Sequence, residues 1–541
     1  MLTSRSTGFW KPGRYLLLWL AAICITALLG FLLARRAPLP SLSAEGLRFD
    51  AQRALDNTRR LAVEYPRRTT GEPGAERAAD FLRSWFSSLG LETRYHDSEM
   101  WLAGRRVRVR NVVAVHRGET DEYVVLMAHY DAPFTTEQAA ADNATGAGVL
   151  MELARTQSSA VGLRRRRGLV YIATDAEEWG MIGARNYIRA PGIPRERIVA
   201  AVSLDFVLPG RPAGMGVAGG GQGPGFAPLW LRSLAEAAVR ANAWNTIGGD
   251  WAGRGVWMEL VERAVCISAT DQGPFNALDV PAVDLKVFPA DRAVVRAIYH
   301  TPGDRIEGIH PEGLEAMGRT AELMARELDA APLVRENANY LRLSPGTYLL
   351  PTATLLLSLV LFAPLFYGAA KTHWSPLRTL RLFLPLAGAY GGLIVAARLN
   401  LFPRYELYPP TPRAPSLYQV PWVALAAAAA GGLLVWFVAN RLLRSRGRLE
   451  ADATKALALI VLAALAMNRF AALVFLLAPA VFWPLAAGRR RVVNLLLLLA
   501  GAAPFLLTMV FFGLVYPIGF PPFYLLLQAA YGAWSPATVL L

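Results

Sequence analysis

Cysteine is almost absent from this chain of 541 residues, which contains two. Cys24 lies in an apolar segment and Cys266 in a strand-like run, "AVCISAT", so we do not expect the two to meet in a disulfide. Neither has the spacing of a cysteine-ligated metal site. The sequence therefore argues against a disulfide-stabilised fold and a cysteine-based zinc site, and it gives no indication of the redox compartment.

Acidic residues are scarce in the last third of the chain, where only Glu406, Glu450 and Asp452 follow position 346. Apolar segments fill this region, and ~20 apolar residues suffice to cross a bilayer as a helix. The candidate spans are 347–367, 380–397, 418–439, 455–467 with 470–487, 492–515 and 520–541. Residues 347–541 therefore predict a transmembrane bundle of about six or seven spans. The break at Asn468-Arg469 suggests the tip of a hairpin.

Charge is also absent from residues 15–33, a run of 19 residues that follows a short tail, 1–14. The apolar cores of signal peptides are shorter, at ~7–15 residues, and small residues mark the cleavage site after them. Here Arg35 and Arg36 follow instead. The segment is therefore predicted to be an uncleaved transmembrane anchor, with cleavage near Ser43 as the alternative.

Lysine is rare as well, with four residues, so the net charge of +15 comes almost entirely from arginine. Much of it lies in the N-terminal tail and in loops that flank the candidate spans, and short basic loops stay cytoplasmic. The charges of the tail and the charges of the loops each place the region between anchor and bundle on the non-cytoplasmic side. This side is periplasmic in a bacterium and luminal in a eukaryote. We therefore expect the positive charge to serve the interaction with a lipid bilayer, and we expect no binding of nucleic acid. The sequence indicates no oligomeric state.

Residues 44–330 have the pattern of a water-soluble α/β domain, and a linker, 331–346, follows it. Strand-like runs such as "EYVVLMAHYD" and "GLVYIAT" alternate with segments of helical periodicity such as "NATGAGVLMELARTQ". This alternation predicts a mixed, mostly parallel twisted sheet with helices on both faces. The glycine-rich run 216–225 lacks the context of a phosphate-binding turn, so we predict a loop there.

Histidines and carboxylates follow several of these strands. His129 and Asp131 end one strand, and Glu177 and Glu178 follow another. The further candidates are Asp142, Asp205 and His300. Strand ends converge on one edge of a sheet, and imidazole and carboxylate are ordinary zinc ligands. A carboxylate can also bridge two metal ions. The pattern therefore predicts a pair of zinc ions, a spare glutamate as general base, and an aspartate two residues from His129 that orients its ring.

Six motifs occur in the order HxD, D, EE, D, D, H: "AHYDAP", "ADNATGAGVLMELAR", "TDAEEWGMIGARNY", "VSLDF", "TDQGPF" and "YHTPGD". Together they resemble the zinc aminopeptidase family of aminopeptidase Y and the bacterial leucyl aminopeptidases, which has glutamate carboxypeptidase II and the glutaminyl cyclases as relatives. The layout of anchor, extracytoplasmic domain and bundle resembles the endoplasmic-reticulum metallopeptidase and vacuolar membrane protease branch, although the bundle is shorter here.

The resemblance implies roles for seven residues at one site. They are His129 and Asp205 at one zinc, Glu178 and His300 at the other, Asp142 as the bridge, Glu177 as general base and Asp131 as the residue that orients His129. It further implies that Asp271 contacts the metal ligands without binding the metal itself. Gln272 follows Asp271, in the place where many relatives have histidine. The resemblance also implies a cis peptide bond after Asp142. Tyr299 is a candidate for lining the pocket, with plain packing as the alternative.

The function expected from this resemblance is that of a membrane-bound zinc exopeptidase, most simply an aminopeptidase, acting on peptides. The cofactor would be two zinc ions, or one as in the cyclases. Three alternatives stay open: a glutaminyl-cyclase-like transferase, a carboxypeptidase-type relative, and a membrane transporter or scaffold with a relic peptidase domain. The absence of acidic residues inside the spans argues against ion-coupled transport.

Overall fold

The computed structural model divides the chain into two compact units. The larger consists of Arg36–Glu262 and Cys266–Gly346, and the other of Met1–Arg35, Arg263–Val265 and Thr347–Leu541. The structure describes residues 12–37, 39–102, 105–158, 165–221, 225–247, 255–265, 268, 270–291, 293–330, 339–344, 346–371, 375–399, 401, 422–442, 449–486 and 491–515. Cys24 is a free, exposed thiol, and Cys266 lies outside the described residues.

The strands, in chain order, are β1 (Arg35–Arg36), β2 (Glu92–Leu102), β3 (Arg105–His116), β4 (Tyr123–His129), β5 (Gly168–Thr174), β6 (Ile198–Val207), β7 (Pro212–Ala218), β8 (Ala282–Pro289), β9 (Leu341–Ser344) and β10 (Thr347–Leu349). The helices are α1 (Pro12–Leu33), α2 (Ala51–Arg59), α3 (Pro73–Ser88), α4 (Thr145–Ser158), α5 (Ile182–Arg189), α6 (Leu229–Ala241), α7 (Val256–Val265), α8 (Gln272–Asn276), α9 (Ala293–Ile298), α10 (Pro311–Ala330), α11 (Pro351–Ala370), α12 (Pro376–Arg398), α13 (Trp422–Leu442), α14 (Leu449–Ala471), α15 (Leu477–Ala486) and α16 (Arg491–Val515).

The core of the larger unit is a seven-stranded sheet in the order β2-β3-β5-β4-β6-β8-β7. The four central strands are mutually parallel, and antiparallel pairs complete both edges. Side chains of β4 alternate between two apolar clusters: Val124 and Leu126 pack into one, and Val125 and Met127 into the other. Because helical residues belong to both clusters, both faces of the sheet are covered. The predicted fold class, a mixed α/β sheet with helices on both faces, is confirmed.

Register brings the functional strand ends to one edge of this sheet. His129, the last residue of β4, pairs with Thr174, the last residue of β5. Between β6 and β8 the register shifts, so that Asp205 and Phe206 both lie opposite Lys286. Such irregularities bend a strand locally and are frequent next to active sites. The edge formed here is the one on which open α/β sheets place their ligands.

One local prediction was wrong. The glycine-rich run 216–225 was expected to be a loop, but Gly216–Ala218 forms the end of β7 and pairs with β8. Glycine is a poor strand former because it offers no side chain to pack, and here the pairing with a buried neighbouring strand overrides that preference. Residues 222–224 of the run lie outside the described residues.

In the part of the second unit that the structure describes, four helices are long and apolar enough to cross a membrane. These are Gly13–Leu33, Pro351–Ala370, Trp422–Arg441 and Ala453–Ala486. The predicted spans 380–397 and 492–515 fall on helices whose apolar parts are shorter, Phe383–Arg398 and Val492–Leu507. The predicted span 520–541 lies outside the described residues.

The predicted break at Asn468 is present in the backbone. Asn468 leaves the helical conformation, with φ −148° and ψ 92°, and its side-chain oxygen accepts hydrogen bonds from the N–H groups of Phe470 and Ala471. This is how asparagine caps the start of a helix. The next residue, Arg469, donates to the carbonyl oxygen of Pro351 at 2.5 Å. A new helix therefore begins at this point of the apolar stretch.

Candidate metal centre

His129 stands at the centre of the group of ionisable side chains. Its Nε2 lies 3.2 Å from Asp142 Oδ1, 3.4 Å from Asp205 Oδ1 and 4.0 Å from Glu177 Oε2. The side chain is 3% exposed because β4 is an inner strand of the sheet. One ring nitrogen thus faces three carboxylates in a site nearly closed to bulk water.

His300 forms the other half of the arrangement. Its Nε2 lies 3.0 Å from Glu178 Oε2 and 3.5 Å from Asp142 Oδ2. The ring of Tyr299 stacks on that of His300, with centroids 3.9 Å apart. Asp142 therefore directs one oxygen toward each histidine, as a carboxylate shared between two cation positions would.

A sharply bent turn, Ala140–Ala144, presents Asp142. The peptide bond between Asp142 and Asn143 is cis, as the resemblance implied. Asp304 fixes the turn from outside: its carboxylate accepts hydrogen bonds from the N–H groups of Ala141 at 2.7 Å and Asp142 at 3.1 Å. The segment that carries His300 thus also holds the turn that carries Asp142.

Asp131 serves two neighbours at once. Its Oδ1 lies 3.5 Å from Nδ1 of His129, as a residue that orients this ring would require. The same carboxylate accepts hydrogen bonds from the backbone N–H groups of Glu177 at 3.1 Å and Glu178 at 3.3 Å. Ala176, the residue before them, has a backbone φ of +58°, which residues other than glycine rarely adopt. The two glutamates therefore leave β5 in a conformation that Asp131 helps to hold.

Arg68 lies behind these loops and is fully buried. Its guanidinium donates only to backbone carbonyls among the bonds described: to Tyr130 at 2.6 Å, Gln138 at 2.8 Å and Ala139 at 2.9 Å, with longer bonds to Leu61 and Tyr65. Burial lowers the pKa of Arg68 to about 10, which still leaves it charged at neutral pH. Sequence reasoning missed this residue, although an arginine two places before a buried threonine in "PRRTTGEPG" was visible.

Asp271 and Gln272 hold the far side of the site. Asp271 accepts a hydrogen bond from the hydroxyl of Thr174, and burial raises its pKa to about 7. Gln272 is fully buried and donates to the carbonyl of Gly220 at 3.1 Å and to Ser268 Oγ at 2.9 Å. Where many relatives carry histidine, this chain therefore uses an amide that ties the glycine-rich segment to the site.

The pKa values of the site's side chains show how strongly this group of carboxylates favours a positive charge. Burial alone would lower the pKa of His129, but Glu177 and the neighbouring aspartates hold it well above its ordinary value. His300 is likewise raised, to about 10, by Glu178 and Asp142 against the effect of burial. Burial raises the pKa of Glu177 well above its usual range and that of Glu178 to about 7. Two imidazoles thus take on the positive charge that the carboxylates require.

The donor set fits a divalent metal. Among the described residues, three groups have donor atoms that all lie within 4.8 Å of one another: His129 with Asp142 and Asp205, His129 with Glu177 and Glu178, and Asp142 with Glu178 and His300. The first and third share Asp142. Both ring nitrogens of His129 and Oε1 of Glu178 are buried and have no hydrogen-bond partner among the described residues. Nitrogen and carboxylate oxygen donors at this spacing suit zinc.

Comparison with known proteins finds a similar family and several relatives. Residues 111–325 match the model of peptidase family M28. The chain is 29% identical over 180 residues to the alkaline phosphatase isozyme conversion protein of Escherichia coli K12, covering 29% of this chain and 51% of that protein. It is 37% identical over 203 residues to human transferrin receptor protein 2, covering 36% of this chain and 24% of that protein. The chain thus spans about half, or less, of the length of these curated relatives.

Among solved structures, the chain is similar to a zinc aminopeptidase from Bacillus subtilis, with 15% identity and a TM-score of 0.44 over 54% of this chain and all of that one. It is also similar to a glutaminyl cyclase from Porphyromonas gingivalis, with 21% identity and a TM-score of 0.43 over 52% of this chain and 98% of that one. The residues of the centre, from His129 to His300, all lie within the segment that matches the family model. Residues 111–325 of the chain are therefore similar to peptidase family M28.

Proposed function

We propose that this protein is a membrane-bound, zinc-dependent exopeptidase, and specifically an aminopeptidase that removes N-terminal residues from peptides. One observation carries the proposal: the two oxygens of Asp142 face Nε2 of His129 at 3.2 Å and Nε2 of His300 at 3.5 Å. That arrangement provides two adjacent positions for zinc with a shared carboxylate. His129 and Asp205 would complete one position, and Glu178 and His300 the other.

Zinc bound there would polarise the scissile carbonyl group and lower the pKa of a water molecule. The proton chemistry belongs to Glu177, which lies 4.0 Å from Nε2 of His129 and is absent from the two donor groups that share Asp142. Its carboxylate takes a proton from the attacking water as the water oxygen bonds to the carbonyl carbon. It then gives that proton to the amine nitrogen as the C–N bond breaks. Burial, which raises the pKa of Glu177, favours this temporary protonation.

The complete donor set argues against a relic domain. Each of the seven predicted ligand, base and orienting residues is present and in contact with at least one other, and all except the partly exposed His300 are buried. A relic would be free to lose ligands, because isolated buried carboxylates cost free energy without a cation. A catalytic role explains why a chain would retain five of them in one buried cluster.

We further propose that the domain faces the non-cytoplasmic side of a membrane. The helix Gly13–Leu33 and the long apolar helices after residue 350 support an anchor and a bundle. The arginines of the N-terminal tail and of the loops between the later spans support the orientation, since such loops stay cytoplasmic. Peptides outside the cytoplasm are the substrates that this placement would offer.

The test uses full-length protein purified in detergent and loaded with zinc. Release of free amino acids is measured from peptides with free and with blocked N-termini. An aminopeptidase acts only on the free set, and Glu177→Gln lowers the rate by roughly 10²–10⁴-fold because the general base is lost. Glu119→Gln, an exposed carboxylate outside the centre, is the matched control and keeps full activity.

Other results would redirect the proposal. Equal release from blocked peptides would indicate a carboxypeptidase or an endopeptidase. Loss of a primary amine without chain cleavage would indicate a cyclase-type transferase. No reaction of either kind by protein with zinc bound would refute the hydrolase.

A further inference from the structure

A buried ion pair lies next to the proposed metal ligand Asp205. Strand β8 is apolar except for Asp284 and Lys286, which are 0% and 4% exposed. Nζ of Lys286 lies 3.0 Å from Oδ2 of Asp284 and 3.5 Å from Oδ2 of Asp205. Lysine is almost never fully buried, because taking its charge out of water carries a desolvation penalty that an ion pair often fails to repay. A contribution to the stability of the fold is therefore a weak explanation for the presence of this ion pair.

The sheet places these residues on one face. Leu285 and Val287 pack into the apolar cluster on one side of the sheet, so Lys286 between them points to the other side. Leu204 belongs to the same cluster, so Asp205 also points to the other side, where His129 lies two residues beyond Met127. The irregular pairing that puts Asp205 opposite Lys286 brings the ammonium group within reach of the carboxylate.

The two oxygens of Asp205 consequently meet different neighbours. Oδ1 lies 3.4 Å from Nε2 of His129, on the side of the proposed metal position. Oδ2 lies 3.5 Å from the ammonium group of Lys286. A carboxylate can bind a cation through one oxygen or through both. With Oδ2 held by a cation of the protein, only Oδ1 is left to donate.

We propose that Lys286, itself held by Asp284, is a positioning residue that limits Asp205 to one donor oxygen and weakens the metal position formed by His129 and Asp205. The proposal rests on the zinc site described under Proposed function and adds a device that sets its affinity. A ligand with one oxygen engaged by an ammonium group is a poorer donor than a free carboxylate. A zinc ion held there through a single oxygen of Asp205 would have room for water or a peptide carbonyl as a further ligand.

The proposal predicts opposite effects for two substitutions. Lys286→Met keeps most of the volume and removes the cation, so Asp205 regains its second oxygen and zinc binds more tightly at one position. Asp284→Asn removes a charge that balances Lys286, so the ammonium group acts more strongly on Asp205 and zinc binds more weakly. Changes to groups around metal ligands shift affinity by roughly 10–100-fold, and we expect shifts of about tenfold in each direction.

The measurement is a zinc titration of metal-free, full-length protein in detergent against a competing chelator, with cobalt spectra to separate the two positions. Lys371→Met, the same change at an exposed lysine, is the control and leaves affinity unchanged. The double variant Lys286→Met with Asp284→Asn removes both charges, which avoids leaving either buried alone. It is expected to bind zinc as tightly as Lys286→Met.

Two outcomes would overturn the inference: weaker binding by both single variants, which is what a purely structural pair would give, and unchanged affinity in all folded variants. Failure of the wild-type protein to bind zinc at all would refute the proposed function and with it this proposal. Zinc binding by the wild type with no opposite shifts would refute the affinity device alone.

Discussion

At the scale of single residues, the centre is built from side chains that each serve two partners. Asp142 faces two histidines, and Asp131 contacts His129 while it accepts the N–H groups of Glu177 and Glu178. Such sharing fixes geometry with few groups. It also leaves carboxylates buried close to one another, which raises the pKa of several of them.

Asp175 illustrates the consequence for pH. Burial and the nearby charge of Asp131 raise its pKa to about 7, although it accepts bonds from Thr70 and the N–H of Arg110. A folded-state pKa above the unfolded value gives stability that is fully present below about pH 3.9 and is lost as pH rises through about 7. We therefore expect the melting temperature of the metal-free protein to fall across this window.

Asp175→Asn tests this dependence by differential scanning calorimetry of metal-free protein between pH 4 and 8. Asparagine offers one acceptor oxygen instead of two, so either the hydroxyl of Thr70 or the N–H of Arg110 loses its acceptor and the variant melts lower at every pH. Its melting temperature nevertheless falls less steeply with pH, because the titrating group is gone. A slope identical to that of the wild type would show that other groups dominate, and the exposed Asp121→Asn is the control.

The sequence indicated the candidate metal ligands better than the residues that hold those ligands in position. Strand ends and six motifs pointed to nine residues, and the structure brings all nine to one edge of the sheet, although their roles stay predictions. Lys286, Asp284 and Arg68 were missed because their partners are distant in sequence and, for Arg68, are backbone carbonyls. One signal was available: Lys286 is one of four lysines and interrupts the apolar run "AVDLKVFP".

At the scale of elements, Arg68 joins segments that the sheet does not connect. Its bonds reach the carbonyl of Tyr130 after β4 and those of Gln138 and Ala139 before the turn that carries Asp142. Arginine can do this because its planar group has five donors, whereas lysine has three on a single nitrogen. Strands and helices were predictable from apolar periodicity, but the closure of loops by one buried cation was not.

Arg68→Lys is expected to lower thermal stability and zinc affinity together. Each buried carbonyl left without a donor costs ~1–3 kcal/mol, so the melting temperature should fall by roughly 5 °C or more. Thermal unfolding and the chelator competition measure both quantities. Arg67→Lys is a close control, since the neighbouring side chain is 78% exposed. A stable variant with unchanged affinity would contradict the role assigned to Arg68.

At the scale of the whole molecule, the sequence predicted a soluble domain at 44–330 followed by a linker and a bundle from 347. The compact units divide near the same place, with Thr347 beginning the last part of the second unit. Composition allows such a boundary to be recognised, because a water-soluble domain requires acidic surface residues and a membrane segment does not. The side of the membrane follows from charge alone and requires a test of its own.

Cysteine labelling in intact cells provides that test. With Cys24→Ser and Cys266→Ser as background, Glu119→Cys introduces a thiol on the exposed surface of the larger unit, and Ser4→Cys introduces one in the N-terminal tail. A membrane-impermeant maleimide should modify the first in intact cells and the second only after permeabilisation. The reverse pattern would place the peptidase domain in the cytoplasm.

The segment from His300 to Asp304 connects the two halves of the centre. It supplies a histidine to one proposed position and, through Asp304, holds the turn with Asp142 that both positions share. Neither position can therefore be assembled without this segment in place. If two ions bind as proposed, we expect their affinities to be coupled, since both positions depend on the same stretch of chain.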